Sequence, residues 1–366
     1  MNDAERFLIL NMIEDLGSIR TQALLECFGS AGKIFKAGQK DLEGVGGIGS
    51  KIAPKIWHGI REIDVSNELE LIKKNNIKII TLLDKDYPKN LKNIYDPPVV
   101  LYVMGEIISE DDLAVAIVGS RRASFYGMKT AERLGFELAA RGVTVVSGLA
   151  RGIDSSSHKG ALKAKGRTLA ILGSGLINIY PEEHRILAEE ISENGAVISE
   201  YPMLTIPDKG NFPKRNRIIN GFSKGVVVVE AAERSGALIT ADCALQEGRE
   251  VFAVPGKVDS NTSKGTNKLI KQGAKLAETV EDILEELNLS DRVGRIGIYN
   301  NKEYLSPRLD KCESLVYNLL TSEPQHIDEL SCALKLRVSE ISSILLNLEI
   351  KKFARQLPGK NFVKEN

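Results

Sequence analysis

The sequence predicts an α/β fold: a doubly wound, mostly parallel sheet, with a helical module before it and a winged helix after it. Three observations predict this. Between residues 69 and 287, apolar β-branched runs alternate with amphipathic helical stretches. The runs are nearly continuous in apolar residues, which suits strands buried on both faces beneath helices. The flanking segments, 1–68 and 311–366, show helical periodicity instead, and the second closes on a Pro-Gly turn.

In chain order, residues 1–68 read as helices around "LEGVGGIGSKIAPKI" (42–56), a glycine-rich turn between two apolar stretches. The turn "GVGGIGSK" (44–51) resembles a helix-hairpin-helix motif, whose backbone amides and Lys51 can meet a phosphate. Many such hairpins only pack against protein. The strand candidates follow: "LAVAIVGS" (113–120), "VTVVSG" (143–148), "TLAILG" (168–173), "AVISE" (196–200), "GVVVVE" (225–230) and "EVFAVPG" (250–256). Residues 288–310 are polar, with Gly, Asn and Pro, and read as a linker. After helices in 311–366, "KKFARQ", "PGK" and "NFVKE" read as a two-stranded wing. "RVSEISSILLNLE" (337–349) occupies the place of a recognition helix but carries Glu340 and Glu349 and few cations. Helices that read bases show Arg, Lys, Asn or Gln to the groove. This one is expected to pack or to bind a partner.

A length of 366 residues allows two or three domains with a real core. Formal net charge is zero, which excludes a globally basic DNA-coating protein and leaves room for a local patch. Cys27, Cys243, Cys312 and Cys332 stand far apart with no Cys/His clustering. That argues against a zinc site and fits free thiols in a reducing cytoplasm. There is no signal-peptide pattern and no apolar run near the ~20 residues that cross a bilayer, so a cytoplasmic protein is expected.

The strand ends carry the chemistry, because ligands of open parallel sheets bind outside the carboxyl ends of the strands. Gly119-Ser120-Arg121-Arg122 follows the first run, and Ser147, Gly148 and Arg151 lie in "SGLARGID" (147–154). "GSG" (173–175) ends the third. "FPKRNRIING" (212–221) sets Lys214, Arg215 and Arg217 beside Phe212 at a helix start, and "RSGALITA" (234–241) offers another. Glycines let backbone approach a ligand, and hydroxyls, amides and guanidinium forks suit phosphate. Cations at a helix N-terminus oppose its dipole unless an anion or carboxylate answers them. Singly, each feature is weak. Gly119 and Gly173 read equally as tight turns, Arg122 as a surface charge, Phe212 as a core residue, and Asn216 as a cap or a ligand donor.

Common alternatives fail on spacing. After Gly119 there is no GxGxxG, and the next strand ends in Ser147-Gly148 rather than a ribose-binding acid, so NAD is not expected. No GxxxxGK run exists for a P-loop. A lone helical His158 reads as structural. Asp154, Glu200 and Glu230 lie near strand ends but nothing pairs two of them for acid–base work. A nucleic-acid backbone is the remaining anion, held without catalysis, metal or cofactor.

Taken together, "GSRRAS" (119–124), "SGLARGIDSSSHKGAL" (147–162), "GSGL" (173–176), "FPKRNRIING", "RSGALITA", "REVFAVPG" (249–256) and "GTNKLIKQGA" (265–274) resemble the DNA-processing protein A (DprA/Smf) family. The resemblance implies an extended Rossmann-like domain at 69–287, a SAM or helix-hairpin-helix-like module at 1–68 and a winged helix at 311–366. It implies a recombination mediator that binds and protects incoming single-stranded DNA, loads the RecA recombinase in natural transformation, dimerises through the Rossmann-like domain and is not an enzyme. Carried over by motif, DNA contacts fall on Gly119, Ser120, Arg121, Ser147, Gly148, Lys214, Arg215, Asn216 and Arg217, with Lys165 and Arg167 as additions. Arg122, Arg151 and Phe212 complete the candidate site. Arg121→Ala and Arg215→Ala are expected to weaken binding at unchanged fold. The alternative is a lysine-decarboxylase-like nucleotide hydrolase that cleaves N-glycosidic bonds. That family expects PGGxGTxxE, and "EAAERSGALITADCA" (230–244) lacks it.

Overall fold

A computed structural model of the chain describes residues 1–289, 310–321, 323–351 and 353–365. Apart from its ends, the expected linker at 288–310 lies outside the described residues. The chain divides into two units.

The first unit opens with helices α1 (Asp3–Met12), α2 (Gly17–Phe28), α3 (Ala31–Ile34), α4 (Gln39–Glu43), α5 (Ala53–Glu62) and α6 (Ser66–Lys74). Asn2 and Glu5 form a capping box that satisfies the free amides at the start of α1. Phe7, Leu8, Ile9 and Leu10 of α1 are buried in a core shared with the sheet. Between α4 and α5, Gly47 takes a φ of 79°, a left-handed value that glycine adopts without a Cβ clash.

Strands β1 (Lys78–Thr81), β2 (Val100–Gly105), β3 (Ala114–Val118), β4 (Thr144–Ser147), β5 (Thr168–Ile171), β6 (Gly195–Ser199), β7 (Gly225–Val228), β8 (Glu250–Ala253) and β9 (Lys275–Leu276) form one nine-stranded sheet. Its order is β1-β2-β6-β5-β4-β3-β7-β8-β9. All pairs from β6 to β9 are parallel, and β1 and β2 add an antiparallel edge. Helices α7 (Lys89–Lys92), α8 (Phe125–Ala140), α9 (Ile153–Lys163), α10 (Arg185–Asn194), α11 (Asn211–Phe222), α12 (Gly236–Gln246), α13 (Lys264–Lys271) and α14 (Val280–Glu286) cover it. In β3, Ala114, Ala116 and Val118 enter one hydrophobic cluster while Val115 and Ile117 enter another. Burial on both faces is why this strand is apolar throughout.

The strand order places β4–β6 on one side of β3 and β7–β9 on the other. The carboxyl ends of β3 and β7 therefore flank the topological switch point, where such sheets open a crevice. His158 of α9 is buried nearby, and its Nδ1–H donates to Thr168 Oγ1 at 2.7 Å. Thr168 in turn donates to the Val145 carbonyl at 2.8 Å, which fixes the tautomer. The histidine ties α9 to the sheet and is shut off from any ligand.

The second unit contains α15 (Lys311–Leu319), β10 (Gln325–His326), α16 (Ile327–Leu334), α17 (Val338–Ile350), β11 (Ala354–Leu357) and β12 (Asn361–Lys364). Its three strands run in the order β10-β12-β11, with Gly359 in a left-handed turn at the wing tip. Val316, Leu330, Ile341, Leu345, Leu348 and Phe362 make a small core of its own. This is a winged helix. Among the described residues no helix is long and apolar enough to cross a membrane.

Candidate nucleic-acid interface

The loops after β3, β4 and β5 and the first turn of α11 meet at the carboxyl rim of the sheet. The Ser120 amide donates to the Glu230 carbonyl at 2.8 Å, closing the switch-point crevice, and Ser120 Oγ accepts from the Arg122 amide at 3.1 Å. A Cβ on Gly119 would stand 2.9 Å from that same carbonyl oxygen and 2.6 Å from Ile153, so only glycine fits. Arg121 and Arg122 project outward and are exposed.

Phe212 is the centre of the arrangement. The Arg121 guanidinium carbon lies 4.9 Å from its ring centroid and that of Arg215 lies 6.0 Å away. The ring of Tyr180 packs against it at 5.8 Å between centroids. A Cβ at position 173 would come within 2.8 Å of the Phe212 ring, so Gly173 makes room for it. An aromatic face flanked by guanidiniums can stack a base and hold its phosphate. Tyr180 is the residue that sequence reasoning missed, because nothing in "INIYPEEH" marks it as a neighbour of Phe212.

The structure separates the sequence candidates by what they already hold. Arg121, Arg122 and Lys214 are exposed, and among the described residues none has a carboxylate within ion-pair distance. Asn216 accepts from Arg215 Nε at 3.2 Å. Arg215 is 4% exposed, and its Nη1 donates to the carbonyls of Gly148, at 2.9 Å, and Ile171. Burial pushes its pKa down to about 10, against the pull of Asp154, so it stays charged at neutral pH. Gly148 is glycine for the same reason: a Cβ there would fall 2.5 Å from the guanidinium nitrogens. Arg215 is thus a buried floor to the rim. The expectation that Arg215→Ala leaves the fold unchanged is corrected, because that change strips two buried carbonyls of their donor.

Several other candidates are corrected in the same way. Arg217 donates to Asp96 at 2.9 Å and to Glu200 at 2.5 Å, so two carboxylates answer its charge. Burial works against that charge, but Glu200 and Asp96 outweigh it and hold the guanidinium above its ordinary range. Ser147 is fully buried, its hydroxyl donating to the Ile117 carbonyl at 2.6 Å. It pins two strands together and presents nothing to a ligand. Exposed Arg151 is paired with Glu183. Lys165 and Arg167 precede β5 and so lie at the amino edge of the sheet, opposite the rim. Arg167 there grips Asp111 through two bonds of 2.8 Å.

Among the described residues, the three carboxylates that the sequence places near strand ends are buried or engaged. Asp154 is buried, which raises its pKa against the pull of Arg215. Glu230 is buried and Glu200 is engaged by Arg217. Among the described residues no group of three His, Cys, Asp or Glu side chains could hold a metal ion.

Comparison with known proteins gives this geometry a family. Residues 78–288 match the family model of DNA recombination-mediator protein A, and residues 302–360 match the DprA winged helix domain. Protein Smf of Escherichia coli K12 is 46% identical over 224 residues, a match spanning 61% of this chain and 60% of that protein's length. The X-ray structure of DNA processing protein A from Streptococcus pneumoniae superposes with a TM-score of 0.69 at 34% identity, covering 78% of this chain and 98% of the other. The DNA processing protein A of Helicobacter pylori, described for its single-stranded DNA binding mode, gives 0.52 at 32% identity over 58% of this chain and 97% of the other. With more than half of its length inside the recombination-mediator model and a matching winged helix behind it, the chain belongs to the DNA recombination-mediator protein A family.

Proposed function

We propose that this chain binds single-stranded DNA at the carboxyl rim of its sheet as a recombination mediator, and does no chemistry on the strand. One observation carries the reading: exposed Arg121 lies over the Phe212 ring with buried Arg215 on the same ring, and two further exposed cations without an ion pair among the described residues, Arg122 and Lys214, stand on the same two segments. Cations track the backbone and an aromatic face accepts any base, so binding is strong and nearly indifferent to sequence. The relative from Helicobacter pylori, which binds single strands, supports it. Protection of incoming DNA, loading of RecA in natural transformation, dimerisation through the sheet-bearing domain and a cytoplasmic location belong to the same proposal and rest on the family resemblance.

Arg121→Ala is expected to weaken oligothymidine binding by about 1–3 kcal/mol, roughly 5- to 150-fold. The salt slope should fall by about 0.7, one phosphate contact on a single strand. Fluorescence anisotropy across a salt series reads both, and circular dichroism should match wild type, since the side chain is exposed. Unchanged affinity with a native spectrum removes the rim from the account. Release of free base from nucleoside monophosphates, followed by chromatography, would instead establish a hydrolase.

A further inference from the structure

The line of strand ends continues past the loops just described. Along β3-β4-β5-β6, the next carboxyl end is that of β6, and there a cleft of about 630 Å³ opens between the sheet and the N-terminal helices. Glu200, Lys214 and Arg217 form one wall, and Arg20, Gly46 and Gly47 the other. Both walls are fixed. Asn11 of α1 donates to the Glu200 carbonyl at 2.9 Å, and Glu68 of α6 accepts from the Met203 amide at 2.8 Å.

Three cations, Arg20, Lys214 and Arg217, line this cleft with two carboxylates, Asp96 and Glu200. Both carboxylates are taken by Arg217, whose Nη1 is nonetheless buried without a partner. Lys214 has no ion pair among the described residues; Arg20 donates to the carbonyls of Gly47 and Asp15, and its charge also reaches the Asp15 carboxylate. The glycine turn supplies further donors. Val45 and Ile48 close it through their amides, but among the described residues the amides of Gly46, Gly47, Gly49, Ser50 and Lys51 meet no acceptor. At Gly46 the backbone φ is not left-handed and a Cβ would meet open space. Neither conformation nor packing asks for glycine there. A side chain at position 46 is therefore tolerated.

We infer that this cleft is a second subsite for the same strand, taking phosphates beyond those held at the rim. The inference rests on the single-strand reading of the rim, with which it shares Lys214. From β3 to β6 the rim spans three strand spacings, roughly 14 Å. That is about four nucleotide rises of a stacked strand. Extra length of DNA therefore reaches the glycine turn, where amides and cations receive it.

The test compares oligothymidines of about 4 and about 16 nucleotides, the range a single-strand groove covers. Gly46→Glu places a carboxylate in open space, Gly46→Ala adds only a methyl group, and Lys51→Glu reverses an exposed charge on the same turn. Wild type should bind the longer strand more tightly. Gly46→Glu and Lys51→Glu should lose about tenfold on it, with a shallower salt slope, and nothing on the short one, while Gly46→Ala follows wild type. Either charge variant matching wild type on the long strand, or losing equally on both lengths, overturns the subsite. Failure of the rim reading is separate, and shows as Arg121→Ala binding both lengths like wild type.

Discussion

Arg217→Ala is expected to destabilise the protein by about 3–5 kcal/mol, the cost of breaking a buried ion pair from one side. The side chain is 14% exposed and carries both Asp96 and Glu200, whose side chains are 29% and 13% exposed. Without the guanidinium, Glu200 keeps its burial and loses its counter-charge. Burial already holds its carboxyl above the usual range despite Arg217, so in the variant that pKa climbs further. A folded pKa above the unfolded one gives stability that is present at low pH and lost as pH rises through the folded value. The deficit against wild type should therefore shrink from pH 8 to pH 5. Urea unfolding at both values measures it, and a loss under about 1 kcal/mol at pH 8 would mean the triad is solvated like a surface pair. Arg121→Ala should move stability by no more than about 0.5 kcal/mol.

The second large effect is acid lability arising from His158. Burial, with smaller contributions from His184 and Arg215, pulls its pKa from 6.5 to about 3. Below about pH 6.5 the unfolded chain binds a proton that the folded chain refuses, so its stability contribution is complete above 6.5 and drains away as pH falls toward 3. The drain amounts to about 1.4 kcal/mol per pH unit, and up to roughly 4–5 kcal/mol over the window. His158→Gln can still donate to Thr168 and does not titrate. Whatever it costs at neutral pH, its stability should fall less steeply between pH 6.5 and 4, by about one proton. Equal slopes for the two proteins would show that His158 titrates in the folded state.

The sheet was legible because both faces of β3 to β8 are buried, which forces apolar residues at successive positions. The antiparallel edge was less so: β1 runs from exposed to buried, and β9 has two residues, too short for any period. At the site, the excess of cations opening α11 was visible, but not what answers it. Asp96 lies 121 residues before Arg217, and the Gly148 carbonyl 67 before Arg215. Pairing over such separations is set by topology, which local pattern does not encode. The opposite placement of Lys165 and Arg167 follows from chain direction alone, because residues preceding a parallel strand enter at its amino edge.

Arg215 has a consequence for how a strand is received. Seated on two carbonyls beneath Gly148, it is immobilised before any ligand arrives, so association need not freeze it. On the proposed reading, Arg215 lends the rim a fixed positive charge from below, while exposed Arg121, Arg122 and Lys214 supply the direct phosphate contacts.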